Sequence, residues 1–219
     1  MIKAIGWLGV TACVVELTAQ PPGLTPMERS LPQAGFERIE REDGVTVYKH
    51  PETEVIHLAA EGRFAASPAE VQQVLLAYED QVGQVERVAS SRVLERGDGW
   101  LRVYQRLELP IVSDRDYTLC VNWGAEGDSR WIRYRIERGT GPPADDDAVR
   151  VPAHRGSWQL QPRRDGAATL ARYESIMDMG GWIPRWLAKS TAGDEVPGVF
   201  ADFRAMLRDR KKIAQEERP

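Results

Sequence analysis

The side chains of this sequence best able to do chemistry are few, and their spacing works against it. His50, His57 and His154 lie far apart, and Cys13 and Cys120 form neither a C-x-x-C pair nor, with the histidines, a metal quartet. No H-x-x-x-H pair and no G-x-S-x-G elbow occurs. Cys120 stands in an apolar, strand-like run, where a buried and inert thiol is expected. Asp145, Asp146 and Asp147 are adjacent, and so suit a solvated turn better than a calcium loop, which needs spaced oxygen ligands. General acid–base work would fall to Tyr134 and Tyr173, each on an inward-facing position of a strand. Arg115, between Asp114 and Asp116 at the start of a strand, is placed to pair with a carboxylate or with orphan carbonyls at a turn. Its expected role is a structural clamp.

The elements that would position these residues are mostly strands. Val45–Tyr48 and Val55–Leu58 read as a hairpin turning near Pro51. Ser67-Pro68-Ala69-Glu70 supplies an N-cap, a proline at the first helical position and a capping-box glutamate. Val71, Val74, Leu75 and Tyr78 then follow at amphipathic helical spacing. Six alternating segments come next: Val85–Leu94, Trp100–Leu109, Asp116–Trp123, Trp131–Glu137, Val149–Leu160 and Thr169–Met177. Short turns between them predict an antiparallel meander. Val196, Val199, Phe200, Phe203, Met206 and Leu207 line one face of a long final helix.

A curved antiparallel sheet has to bury one face, and that helix is long and apolar enough to cover it. A helix laid over a concave sheet leaves a space that tends to become a ligand cavity. Beyond Asp116, the strand carrying Tyr117, Leu119 and Val121 bears no charge and suits a cavity wall. Alternation turns Ile132, Tyr134 and Ile136 inward, and likewise Thr169, Ala171, Tyr173, Ser175 and Met177. The opposite faces, including Arg133, Arg135, Glu137, Arg172 and Glu174, are left outside. Gly180-Gly181 predicts a turn with backbone angles that a side chain resists. Pro184 suits the first turn of a helix, which leaves Trp182, Ile183 and Trp186 at the cavity rim as helix–sheet packing or as a gate touching ligand or membrane. Pro197 is expected to kink the last helix and give a hinge for entry of cargo.

Two of these stretches resemble a known family. Pro110-Ile-Val-Ser-Asp-Arg-Asp-Tyr117 is similar to the P-x-S-x-R-D-[YF] stretch of START domains, the StAR-related lipid-transfer modules. Tyr173–Leu187 resembles that family's Y-x-x-x-D-x-G-G-x-[IL]-P-x-W-L segment. Trp158-Gln-Leu-Gln-Pro162 falls where the family has a similar strand, and Val196-Pro197 with Val199 and Phe200 resembles its final helix. The resemblance spans residues 35–212. It implies an α+β helix-grip fold, a curved antiparallel sheet wrapped around a long C-terminal helix with an internal hydrophobic cavity. Trp158 then joins the cavity wall and Phe200 the lid. The acid–base pair of cholesterol-binding members has no counterpart in the strand from Tyr117 to Trp123, so sterol specificity does not carry over.

The chain thus divides into a signal or anchor segment at 1–20, a Pro/Gly linker at 21–34, a START-like lipid-binding domain at 35–212 and a tail at 213–219. Residues Ala4–Val15 carry no charge. That run is too short to span a bilayer as a helix, but it has the length of a signal-peptide core. The alternative is an N-terminal helix packed on the domain. Periplasmic or secreted localisation is expected, with a cytoplasmic or membrane-anchored protein as the alternative. With a net charge of −4 there is no electrostatic case for nucleic acid, and the basic run Arg208–Lys212 reads as a solvated helix end. The expected function is non-catalytic binding and transfer of a lipid by a monomer in transient contact with membranes, with no cofactor or metal. A cavity enzyme of the polyketide cyclase type and a membrane-attached lipid sensor are the alternatives.

Overall fold

The computed structural model describes residues 24–53, 55–144, 147–164, 166–182 and 195–216. Ile183, Pro184 and Trp186, like residues 1–20, lie outside the described residues. Strands β1 (Glu37–Glu42), β2 (Val45–Lys49) and β3 (Ile56–Phe64) come first, followed by helix α1 (Pro68–Leu75). Then come β4 (Val88–Gly97), β5 (Trp100–Leu107), β6 (Asp114–Glu126), β7 (Ser129–Ile136), β8 (Ala148–Arg150), β9 (Ala153–Arg163) and β10 (Ala168–Asp178). Helix α2 (Glu195–Glu216) closes the order.

Among the described residues the strands form one sheet, in the order β1-β2-β3-β10-β9-β7-β6-β5-β4. It is antiparallel throughout, except that β8 pairs in parallel with β6. The sheet is not closed, and α2 lies in its concave face, as the helix-grip expectation required. Val149–Leu160, expected as one strand, is two. Pro152 lacks the amide that a continuous ladder needs, so the chain leaves β6 at Arg150 and restarts beside β7 and β10 as β9.

Local chemistry sets the helix positions. Glu70 N–H donates to Ser67 Oγ at 3.3 Å and Ser67 N–H donates to Glu70 Oε2 at 2.8 Å, a complete capping box at the start of α1. Phe200 fixes α2 to the sheet. Its ring is fully buried, stacked 5.5 Å from Phe64 and tilted against Trp158 at 5.1 Å. Gly62 makes this approach possible, because a Cβ there would lie 2.6 Å from the Phe200 ring. Pro197 falls in the first turn of the described helix. The preceding residues, where a kink at Pro197 would show, lie outside the described residues.

The outer face of β3, β9 and β10 departs most from the sequence reading. Residues 24–34, expected as linker, pack on it, with Leu24, Thr25 and Leu31 buried. Beneath them Arg172 and Glu174, expected to face solvent, are 3% and 0% exposed. Arg172 binds Glu61 and donates to the Pro26 and Arg29 carbonyls at 2.8 Å each. Glu174 accepts from Thr25 N–H at 2.6 Å and contacts His57 Nε2 at 2.9 Å. Gln159 Nε2 donates to the Thr25 carbonyl at 2.8 Å. Alternation assigns side chains to one face or the other, and a chain segment then buried the face taken to be wet. Cys120 is likewise buried, as expected.

Candidate functional site

Between α2 and the concave face lies a cavity of about 270 Å³. Tyr117 and Leu119 reach it from β6, Tyr134 from β7, Trp158 from β9, and Tyr173, Ser175 and Met177 from β10. Val196, Val199 and Phe203 close it from α2. Val121, Ile132 and Ile136 do not line it: the first two are buried in the core and Ile136 packs against that core. Alternation sets which face a residue occupies, but not its height along the strand. The lower part of the concave face is filled by α1 and by Phe203, Met206 and Leu207 of α2. Phe200, expected in the lid, is part of this core and does not line the cavity.

Polar groups sit in the wall in two clusters. In one, Tyr117 OH donates to Gln105 Oε1 at 3.3 Å, and Gln105 Nε2 donates to Gln81 Oε1 at 3.0 Å and Ser91 Oγ at 3.2 Å. In the other, Tyr134 OH lies 3.4 Å from Tyr173 OH, and His154 Nε2 lies 3.2 Å from Ser175 Oγ. Edge contacts from Tyr117 and Tyr134, with ring centroids at 5.2 and 5.0 Å, hold the His154 imidazole. Gly156 opens the space Tyr134 occupies, since a Cβ there would stand 2.3 Å from the hydroxyl. His154 and Gln105 were missed in the sequence. The signal existed for His154, which shares the inward face of β9 with Trp158 four residues on.

Burial decides what these groups can do. Desolvation pushes the Tyr117, Tyr78 and Tyr134 hydroxyls well above the usual phenol range, and the neighbouring Tyr173 adds to each. Burial lowers His154 to about 4. At neutral pH the wall therefore offers uncharged donors and acceptors, and neither kind of group titrates near 7, where a general acid or base works best. The arrangement suits binding. The unfolded chain takes up a proton on His154 near the ordinary value of 6.5, the folded chain only near 4. Stability should therefore fall as pH drops from about 6.5 towards 4, and the slope in that window should shrink in His154→Phe, as read by denaturant melts at each pH.

At the mouth, Arg115 is 1% exposed and ties two loops together. Its Nε donates to the Met179 carbonyl and one terminal nitrogen to the Gly180 carbonyl, both at 3.1 Å, while the other binds the Ser113 carbonyl. Gly180 and Gly181 have φ of 62° and 63°, so the turn after β10 needs residues without a Cβ. Asp116 is held by Arg150 at 2.7 and 2.8 Å and by Tyr104 OH at 3.1 Å. Trp182 is 79% exposed and Ile111, on the facing loop, 83%. Among the described residues no cluster of His, Cys, Asp or Glu could hold a metal ion, and no helix is long and apolar enough to cross a membrane.

No family model matches the chain. An uncharacterized protein of Pseudomonas aeruginosa is 31% identical over 175 residues, covering 77% of this chain and 85% of that protein. A STAR-related lipid transfer protein (a fragment) from Xanthomonas axonopodis superposes with a TM-score of 0.72 at 25% identity, over 80% of this chain and 99% of that one. Human StAR-related lipid transfer protein 5 gives 0.73 at 16% identity, over 84% and 90% of the two chains, a likeness of fold alone. With the strap at Arg115, the Gly-Gly turn and the covered cavity all present, the chain has the helix-grip fold of the StAR-related lipid-transfer (START) domains.

Proposed function

We propose that the protein binds one hydrophobic ligand in the covered cavity and carries it between membranes, with α2 and the loops at its mouth closing over the cargo. The START fold supports a domain that binds lipid or another hydrophobic ligand. The observation that carries the reading further is the cavity wall, apolar side chains from both sheet and helix broken by a few uncharged polar groups, with the charged Glu86, Arg87 and Glu195 also in the lining. Removing an apolar ligand from water contributes about 25 cal/mol per Å², so the complex needs no covalent chemistry. Exposed Trp182 and Ile111, on the two loops that Arg115 ties together, support transient contact of the mouth with a membrane surface. With residues 1–20 read as an export signal, this traffic would run outside the cytoplasm.

Native mass spectrometry of protein purified from its own host, followed by organic extraction, tests the reading. A stoichiometric lipid is the expected result. An empty cavity combined with turnover of a small aromatic metabolite would replace the carrier by a cyclase-type enzyme, with Tyr134 and Tyr173 the first residues to mutate. Val199→Trp, which projects bulk into the cavity from α2, is expected to cut ligand occupancy at least tenfold while the fold persists.

A further inference from the structure

We infer that the cavity selects an amphiphile whose polar group is a single uncharged hydroxyl, anchored at His154, over one ending in a carboxylate, a phosphate or an amine. The inference rests on reading the cavity as a hydrophobic-ligand site and adds the class of headgroup.

Three observations carry it. The first is the absence of an interior counter-ion among the described residues. The charged side chains that line the cavity are Glu86, Arg87 and Glu195. All three are partly exposed, and they already pair with one another: Arg87 lies 3.0 Å from Glu195 and 3.4 Å from Glu86. Among the described lining residues, two carboxylates share this one guanidinium, so it is already engaged when a carboxylate or phosphate arrives. Deeper in, an anion or an ammonium would lose its hydration with no charge to replace it, the costliest form of burial.

The second observation is the state of His154. One ring nitrogen shares a contact with Ser175 Oγ, and Nδ1, though buried, makes no hydrogen bond among the described residues. A neutral imidazole has one donor and one acceptor nitrogen, and buried polar atoms are seldom left unpaired. A hydroxyl can donate or accept, so it can complete the pairing in either tautomer. A carboxylate can only accept and an ammonium can only donate.

The third is the chemistry around that ring. Ser175, Tyr134 and Tyr173 add three further hydroxyls on the same stretch of wall, with Tyr134 OH and Tyr173 OH 3.4 Å apart. Burial keeps the Tyr134 hydroxyl protonated and the imidazole neutral at pH 7, so the cluster presents dipoles and no net charge. The other wall cluster, Tyr117–Gln105–Gln81, is also uncharged but closes its hydrogen bonds internally. In the His154 cluster, by contrast, a buried ring nitrogen has no partner among the described residues.

The test uses the full chain, freed of co-purifying lipid, and the neutral fluorophore N-phenyl-1-naphthylamine as the reporter of cavity binding. Dodecanol, dodecanoate and dodecylamine, matched in chain length, are compared as displacers at pH 7.5. Dodecanol is expected to displace the fluorophore at least tenfold more effectively than either charged analogue. His154→Phe and, as a second variant, Ser175→Ala should each weaken dodecanol by about two- to tenfold, the worth of one hydrogen bond, after correction for the fluorophore affinity measured in the same variant. If the fluorophore and all three displacers fail to bind the wild-type chain, the hydrophobic-ligand reading itself falls. If they bind but dodecanoate or dodecylamine matches dodecanol, the headgroup inference falls and the carrier reading stands. Unchanged dodecanol affinity in both variants removes His154 as the anchor. Should His154→Phe lose fluorophore binding through misfolding, Ser175→Ala alone decides the point.

Discussion

Phe200→Ala is expected to lower the free energy of unfolding by about 3–5 kcal/mol and to loosen the grip of α2 on the sheet. The ring is completely buried, against Phe64, Trp158 and the bare backbone of Gly62. The sheet cannot collapse into the vacated volume, because β3 is paired on both sides, to β2 and to β10. The substitution therefore leaves most of its cavity open, the condition under which large-to-small changes cost most. Phe200 also stands one turn from Val196 and Phe203, which cover the ligand cavity, so ligand release should accelerate. Urea denaturation gives the stability change and stopped-flow release of a fluorescent ligand the second effect. A loss below about 1 kcal/mol would mean that Phe200 is not the anchor of the helix.

Glu174→Ala should cost about 3 kcal/mol and free the segment from Leu24 to Leu31 from the sheet. The carboxylate is wholly buried and serves two groups, the Thr25 amide and His57 Nε2. Removing it leaves both without their acceptor under a covering that excludes water. Glu174→Gln keeps one carbonyl oxygen for Thr25 N–H and is expected to cost about half as much. Trypsin cleavage after Arg29 reports the segment directly, and should be several-fold faster in the alanine variant. If cleavage is no faster while stability drops, Glu174 supports the sheet without holding the segment down.

These two positions differ in how far they could be read beforehand. Phe200 falls on the apolar face that Val196, Val199, Phe203, Met206 and Leu207 define, so its burial follows from helical period alone. What it touches does not. Its place over Gly62, away from the cavity, depends on where along the strands α2 settles, and periodicity has no term for that. For the same reason Val121 and Ile132 proved to be core while Tyr117 and Leu119, on the same faces, reached the cavity.

By itself the sequence determined the order of the main elements, the capped first helix, the inward faces of β6, β7 and β10 and the Gly-Gly turn after β10. Each of these is written in local spacing: period two for strands, 3.6 for helices, a cap three residues from its partner and positive φ at glycine. The tertiary structure decided the rest. It covered Arg172 and Glu174 with a segment about 145 residues distant in the chain, split a strand at Pro152, and brought His154 to Ser175 and Arg115 to the carbonyls of Met179 and Gly180. These pairings join groups far apart in sequence, and their partners are chosen by strand register and by the position of α2, which no local pattern encodes.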